Sequence, residues 1–342
     1  MLARITAIGF WESTLFSVDG SIGPRAELLP NLAKTQRQLP NLDAAFRQLG
    51  LDPTHPNYPK PSDLKILRND TIAALILSQQ MRAFHQWDAA FLEQGALLVA
   101  NSNFIDDDVL DFEAIAAAVN QLQNAQDPAT ENKLFGSTIS PLLPLRTLTN
   151  GAQSFIAQYL GFHGTATTYG STGIASAQAL RDACNLLQIG ASPAVLVGGC
   201  HYANLFSFLN NCLLLSDTKG YAEASAASFL MLTPYDPGQT GPNHLHITQF
   251  YCELAALEGE HVDWLFYGGA FTPQQDAELQ ARCKHLCYRE AFSWFAHTGN
   301  LGAAELGMLL AASANWLQIG QTAVIVLQDA YGVVELFKVQ KA

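Results

Sequence analysis

The residues whose types and spacing could do chemistry fall into a few short groups. Cys283-Lys284-His285-Leu286-Cys287 has a zinc-like spacing. A structural zinc site closes with a full tetrahedral set, however, and no second ligand pair with suitable spacing accompanies this one. The competing reading is a helix surface with two core-facing thiols at i and i+4. His244-Leu245-His246 sets two imidazoles on one strand face. Without a third ligand, a half-exposed edge is the stronger reading. Ser171, Thr172 and Ser176 offer hydroxyls that a base such as His297 would have to activate. Cys200 directly follows a Val-Gly-Gly strand end, where a small buried thiol is the commoner explanation. The glycines between 164 and 173 suggest a phosphate cradle, but no Lys or Arg stands beside them. These groups imply no metal and no cofactor.

The elements that must position the serine cluster come from a repeat. TGIASAQALRDACNLLQIGASPAVLVGG runs from Thr172 to Gly199, and TGNLGAAELGMLLAASANWLQIGQTAVIVLQD runs from Thr298 to Asp329. Each opens Thr-Gly, passes through small residues to Leu-Gln-Ile-Gly, and ends in Val, Leu and Ile. The pattern predicts a helix opened by a threonine cap, stopped by glycine and followed by a buried strand. The two stops begin at Leu187 and Leu317, so the repeat is domain-sized and not a solenoid period. A duplicated α/β half with small residues along both helices predicts two helices packed closely at a central pseudo-two-fold. Chemistry would sit at the paired helix starts, and the first start carries Gly173, which has no side chain to react.

Elsewhere the chain predicts a strand over 4–10, irregular structure over 20–62 and a helix over 69–86 capped by Asn69 or Asp70. A strand over 95–102, an Asp-capped helix over 107–123 and an amphipathic helix within 140–161 follow. DPGQTGPN at 236–243 marks the boundary between a first half, 1–235, and a shortened second half, 244–342. Strands follow at HLHITQFYCEL and HVDWLFYGG. The alternation favours a layered α/β fold.

Of 342 residues, 49% are hydrophobic and only 14% charged, which predicts a large core and at least one subunit interface. The net charge of −12 argues against nucleic acid, whose phosphates call for Lys and Arg, and against an anionic membrane surface. No apolar run is long enough to span a bilayer. MLARITAIGFWES reads as a strand and not a leader, and the six cysteines show no disulfide framework, so a reduced, cytoplasmic setting is expected.

Here the chain resembles the β-ketoacyl synthases of the thiolase fold. Asn150, Gly161 and Gly164 stand at the family's offsets, and its Thr-Ala-Cys-Ala-Ser-Gly motif appears as Ser171-Thr172-Gly173-Ile174-Ala175-Ser176. Ser140-Pro141-Leu142-Leu143 looks like the family's Ser-Pro-Phe-Phe segment, and Thr298 to Ala304 like its Thr-Gly-His-Leu-Leu-Gly-Ala-Ala. The resemblance covers most of the chain and implies a duplicated α-β-α-β-α layered fold with two central helices.

The departures are as informative as the matches. Gly173 holds the place of the nucleophilic cysteine, Tyr267 that of one histidine, and Asn300 that of the other. The family's lysine falls near Phe295. Its middle-loop motif is reduced to Gly220-Tyr221-Ala222-Glu223, and its terminal glycine gate is replaced by Asp329-Ala330-Tyr331-Gly332. Claisen condensation needs a thiolate to carry the acyl chain and donors to stabilise the charge left by departing carbon dioxide. A chain with Gly173 cannot be a self-sufficient condensing enzyme.

The resemblance therefore implies a chain length factor of a type II polyketide synthase, making an aromatic polyketide or an aryl-polyene pigment. Such subunits pair with a catalytic ketosynthase, meet acyl carrier protein through that complex, and close the far end of the acyl tunnel. The resemblance points to Leu142 and Leu143, with Phe104, Phe112 and Ala116 on the preceding loop and helix, as tunnel-floor candidates; ordinary core is the alternative. It points to Ala194, Val195, Leu196, Val197 and Gly198 as the dimer strand. The alternatives are a same-fold decarboxylase, acyltransferase or hydrolase using Ser171 or Cys200, and a purely structural scaffold.

Overall fold

Val195–His201 and Thr322–Gln328, the apolar runs that close the two near-copies, are interior strands of one large sheet. A computed structural model of the chain describes residues 1–12, 15–17, 19, 41–101, 116–117, 119–121, 127–129, 133, 136, 142–146, 148–170, 173–204, 207–208, 211, 213–215, 218–236 and 244–342. The strands are β1 (Ala3–Glu12), β2 (Leu15–Ser17), β3 (Ala96–Asn101), β4 (Thr165–Gly170), β5 (Val195–His201) and β6 (Ala226–Thr233). They continue with β7 (Leu245–Tyr251), β8 (His261–Gly268), β9 (Cys287–Ser293), β10 (Thr322–Gln328) and β11 (Val334–Lys341).

Their order, β4-β3-β5-β6-β1-β7-β11-β10-β8-β9 with β2 on β1, contains the duplication. In the first block β4, β3 and β5 are parallel, then β6 and β1 each turn antiparallel. In the second, β9, β8 and β10 are parallel, then β11 and β7 each turn antiparallel. The blocks meet where Ala3, Arg4 and Ile5 pair with Ile247, His246 and Leu245.

The helices used below are α1 (Leu42–Gln48), α2 (Asn69–His85), α3 (Ala89–Gln94), α4 (Gly151–Leu160), α5 (Ala175–Gln188), α6 (Pro273–Arg282) and α7 (Glu305–Trp316). Side chains alternate across a strand, so each block has two faces. Leu98, Val195, Val197, Phe266 and Ile325 face a shared core with α5 and α7. Leu97, Val99 and Leu196 face α2 and α4, whereas Leu265, Tyr267, Val324 and Val326 face α6. The result is the layered α/β architecture with α5 and α7 central. Residues 305–314 of α7 are buried all round, as a helix packed between the two blocks of the sheet must be. The small residues admit helix-to-strand contacts: a Cβ on Gly199 would strike the Ala303 carbonyl, and one on Gly307 would strike Ser228.

Some local expectations are corrected. Thr298 does not cap α7, because a 3-10 turn at Gly302–Ala304 intervenes and Thr298 Oγ1 bonds Trp294 O and Gly299 O. Thr172 lies outside the described residues. The helix starting at Asn69 has no side-chain cap, since Asp70 is held by the buried Arg68 at 2.9 Å and by Thr71 N. The glycine stops are present at Gly190 and Gly320, both with positive φ. Cys283 and Cys287 share no helix: α6 ends at Arg282, Cys283 is buried at its end, and Cys287 opens β9 exposed.

Candidate functional site

Gly173 is buried just ahead of α5, where the two halves converge. A Cβ there would stand 3.3 Å from the Gln328 carbonyl oxygen, 3.6 Å from Gly269 Cα and 3.9 Å from the Gly302 carbonyl oxygen. A side chain at this point would face two carbonyl oxygens. That environment disfavours a thiolate and any oxyanion formed from it. The enclosing loop approaches this closely because Gly269, at φ +92°, leaves room for the Gln328 backbone.

Asn300, fully buried, is not a free donor. Its Nδ2 donates to Ala270 O at 3.0 Å and its Oδ1 accepts from Gly302 N at 2.7 Å. Its backbone bridges Ala222 and Ala224. Asn300 is a staple joining three segments. Tyr267 points away, into the outer core with Leu279 and Cys283, where burial pushes its phenol up.

A residue that sequence reasoning passed over, Glu305, opens α7 inside this region. It is fully buried, and its Oε2 accepts from Gly269 N at 3.1 Å while its Oε1 has no hydrogen-bond partner. Burial pushes its carboxyl up to about 8. Glu305 thus takes the backbone N–H of Gly269, whose Cα borders the vacated position. The only signal in the sequence is an acidic residue directly after Gly302-Ala303-Ala304 in an apolar stretch.

Beside Asn300 lies a buried polar cluster. Glu223 Oε2 stands 3.3 Å from His201 Nε2 and accepts from Ser207 Oγ at 2.5 Å and Tyr221 OH at 2.8 Å. Burial alone would raise this carboxyl; His201, Ser207 and Tyr221 outweigh it and hold it below the usual range. Ser207 donates to the carboxylate, so no imidazole activates it.

The other nucleophile candidates are no better placed. Ser176 Oγ donates to Gly173 O at 3.2 Å, inside its own turn. Cys200 is fully buried beneath α2 and α4, its Sγ 3.9 Å from Ala100 O. Ser171 lies outside the described residues. We expect Gly173→Cys to gain no condensing activity and no acyl label from malonyl or acyl thioesters; mass spectrometry of the intact variant checks this.

Among the tunnel-floor candidates, Phe104 and Phe112 lie outside the described residues. Ala116 is helical and exposed, Leu142 is half-buried, and Leu143 opens a short helix, Leu143–Arg146. Exposed Val119, Leu145 and Leu148 stand close to them in sequence. The dimer-strand expectation needs correcting. Val195, Leu196, Val197 and Gly198 are buried in β5, whose two edges are already paired with β3 and β6, and Ala194 only precedes the strand. Among the described residues the edge strand of this block is β4, which pairs with β3 alone and is largely exposed.

Residues 75–228 match the family model of the β-ketoacyl synthase N-terminal domain. The ishigamide ketosynthase/chain length factor structure superposes with a TM-score of 0.68 at 16% identity, covering 99% of each chain. The AntDE:AntF structure, a type II polyketide synthase acyl carrier protein in complex with its ketosynthase bound to the hexaketide, gives 0.65 at 13% identity, again covering 99% of each. The module 6 ketosynthase of the bacillaene synthase from Bacillus subtilis 168 gives 0.66 at 12% identity, covering 99% of this chain and 72% of that one. No curated protein sequence matches. The thiolase-like ketosynthase fold therefore spans the whole chain. Among the described residues, no helix is long and apolar enough to cross a membrane, and no group of three or more His, Cys, Asp or Glu could hold a metal.

Proposed function

We propose that this ketosynthase-like chain is a chain length factor: a catalytically dead subunit that pairs with an active ketosynthase and limits polyketide growth in a type II, cytoplasmic system. The observation that carries this is the vacated centre. Gly173 offers no nucleophile, its surroundings are carbonyl oxygens, and the Asn300 amide is spent on Ala270 and Gly302. What the chain retains is a duplicated fold, whose two blocks meet at the β1–β7 pairing, and an open sheet edge.

That edge is the best candidate for the partner. Sheet edges that must stay unpaired carry charges or proline. At the far side of the sheet, β9 does so with Arg289 and Glu290. The β4 sequence TATTYG carries neither, although its residues are mostly exposed. Exposed Leu145 and Leu148, just ahead of α4, add apolar surface. Acyl carrier protein, itself acidic, would dock on the catalytic subunit, since a net charge of −12 repels it here.

The floor of the tunnel is assigned to the segment holding Phe104, Phe112, Ala116, Leu142 and Leu143. Ala116→Trp or Leu143→Trp should shorten the products of the two-chain complex, read by mass spectrometry of released polyketides. Unchanged product length from an intact complex would reduce the chain to a scaffold.

A further inference from the structure

A cleft of about 270 Å³ opens at the end of α2. It lies on the sheet face opposite α5, so it is separate from the vacated centre. Three stretches of chain wall it: Leu49 and Leu51 past the end of α1, His55 and Asn57 in the turn that follows, and Arg82 and Trp87 at the end of α2. Helix α2 stops at Gln86 with φ 51°, the one non-glycine residue of positive φ among the described residues. The chain reverses there and brings Trp87 to the cleft wall.

Two groups in the wall keep donors to spare. The Arg82 guanidinium carries five N–H bonds, and Nη1 donates to Leu160 O at 2.7 Å. Among the described residues no carboxylate pairs with it, and burial is what moves its pKa, downward. His55 is fixed by its own turn. Its Nδ1 accepts from Asn57 N at 3.1 Å, so the neutral ring carries its proton on Nε2. The acid of that turn, Asp52, accepts from Thr54 N at 2.8 Å and Thr54 Oγ1 at 2.6 Å. The apolar part of the wall is Leu49, Leu51 and the Trp87 ring, which Phe91 meets edge-on with centroids 5.5 Å apart.

We propose that this cleft binds a small organic monocarboxylate, its carboxylate on Arg82 and His55 and its apolar body against Leu49, Leu51 and Trp87. The planar guanidinium fork fits a carboxylate through two parallel hydrogen bonds, which are charge-assisted and strong. The charge class follows from the rest of the wall. The carbonyl end of α2 lines the same cleft and carries partial negative charge, which penalises a dianionic phosphate more than a monoanion. The volume lies just below the roughly 300 Å³ at which sites for drug-sized ligands begin, so a one-ring or short-chain acid fits. Bound there, the acid would link the turn after α1 to the end of α2.

The test uses the full chain and sodium benzoate, with benzyl alcohol as the uncharged counterpart and inorganic phosphate as the rival anion. Ligand-observed NMR should show saturable benzoate binding, weaker binding of benzyl alcohol, and no displacement of benzoate by an equal concentration of phosphate. Ala83 is exposed and lines the cleft, so Ala83→Glu leaves the core untouched while bringing a negative charge to the guanidinium. It should weaken benzoate binding by about tenfold or more, as should Arg82→Gln. His55→Asn keeps an acceptor for Asn57 N but removes the ring donor, and should weaken binding by about fivefold. Circular dichroism checks that each variant is folded. A wild-type chain that gives no saturable benzoate signal, binds benzyl alcohol equally well or yields benzoate to phosphate would overturn the proposal, and so would unchanged affinity in folded Ala83→Glu.

Discussion

Proline placed at position 166 or 167 should abolish pairing with the proposed ketosynthase partner in one of the two variants. Along β4 successive N–H groups point alternately to β3 and outward, because β4 is an edge strand paired on one side only. Ala166→Pro and Thr167→Pro therefore differ in kind. One removes a ladder bond to β3 and lowers the stability of the chain itself. The other leaves that ladder intact, removes an outward donor and presents a ring to the incoming strand. Loss of strand addition should cost about 3 kcal/mol, or about a hundredfold in dissociation constant. Circular dichroism tells the variants apart, and a sizing column with the partner reads the pairing. Wild-type affinity in both variants, each folded, would move the interface away from β4.

Glu305→Gln should stabilise the chain in alkaline solution and flatten its pH dependence. The carboxyl is fully buried and its native pKa lies near 8, against 4.5 unfolded. A group whose native pKa is raised contributes stability that is fully present below the unfolded value and is lost as pH rises through the native one. Wild-type stability should therefore decline between about pH 4.5 and 8, by roughly 5 kcal/mol from this residue. Asp276, also raised by burial, acts in the same direction. Urea midpoints at pH 5, 7 and 9 check this: the variant should match the wild type at pH 5 and exceed it at pH 9. Equal midpoints at pH 9 would show that Glu305 ionises freely.

Glu305 also marks how far the sequence could be read. The duplicated sheet was legible because each half alternates apolar strands with glycine-stopped helices. The vacated centre was legible because glycine at 173 cannot be a nucleophile whatever surrounds it. Directions were not legible. Asn300 reads only as the occupant of a histidine's place, and the fold alone shows its amide turned into Ala270 and Gly302. The apolar run Ala194–Gly198 reads equally well as an interface or as an interior strand, because a strand covered on both faces has the same composition. The true edge, TATTYG, is polar and short and gives no periodic signal. Thr298 looks like a helix cap because the 3-10 turn that displaces it has no distinct composition.

As a chain length factor, this chain should act only through a partner. The most direct test is to load the purified two-chain complex with radiolabelled malonyl or acyl carrier protein and locate the covalently bound acyl label, thioester or oxyester, on each separated chain. The label should sit on the ketosynthase alone, and product length should change when this chain carries Leu143→Trp. Label recovered on this chain, or on the chain in isolation, would contradict the claim and return Ser171 or Cys200 to consideration.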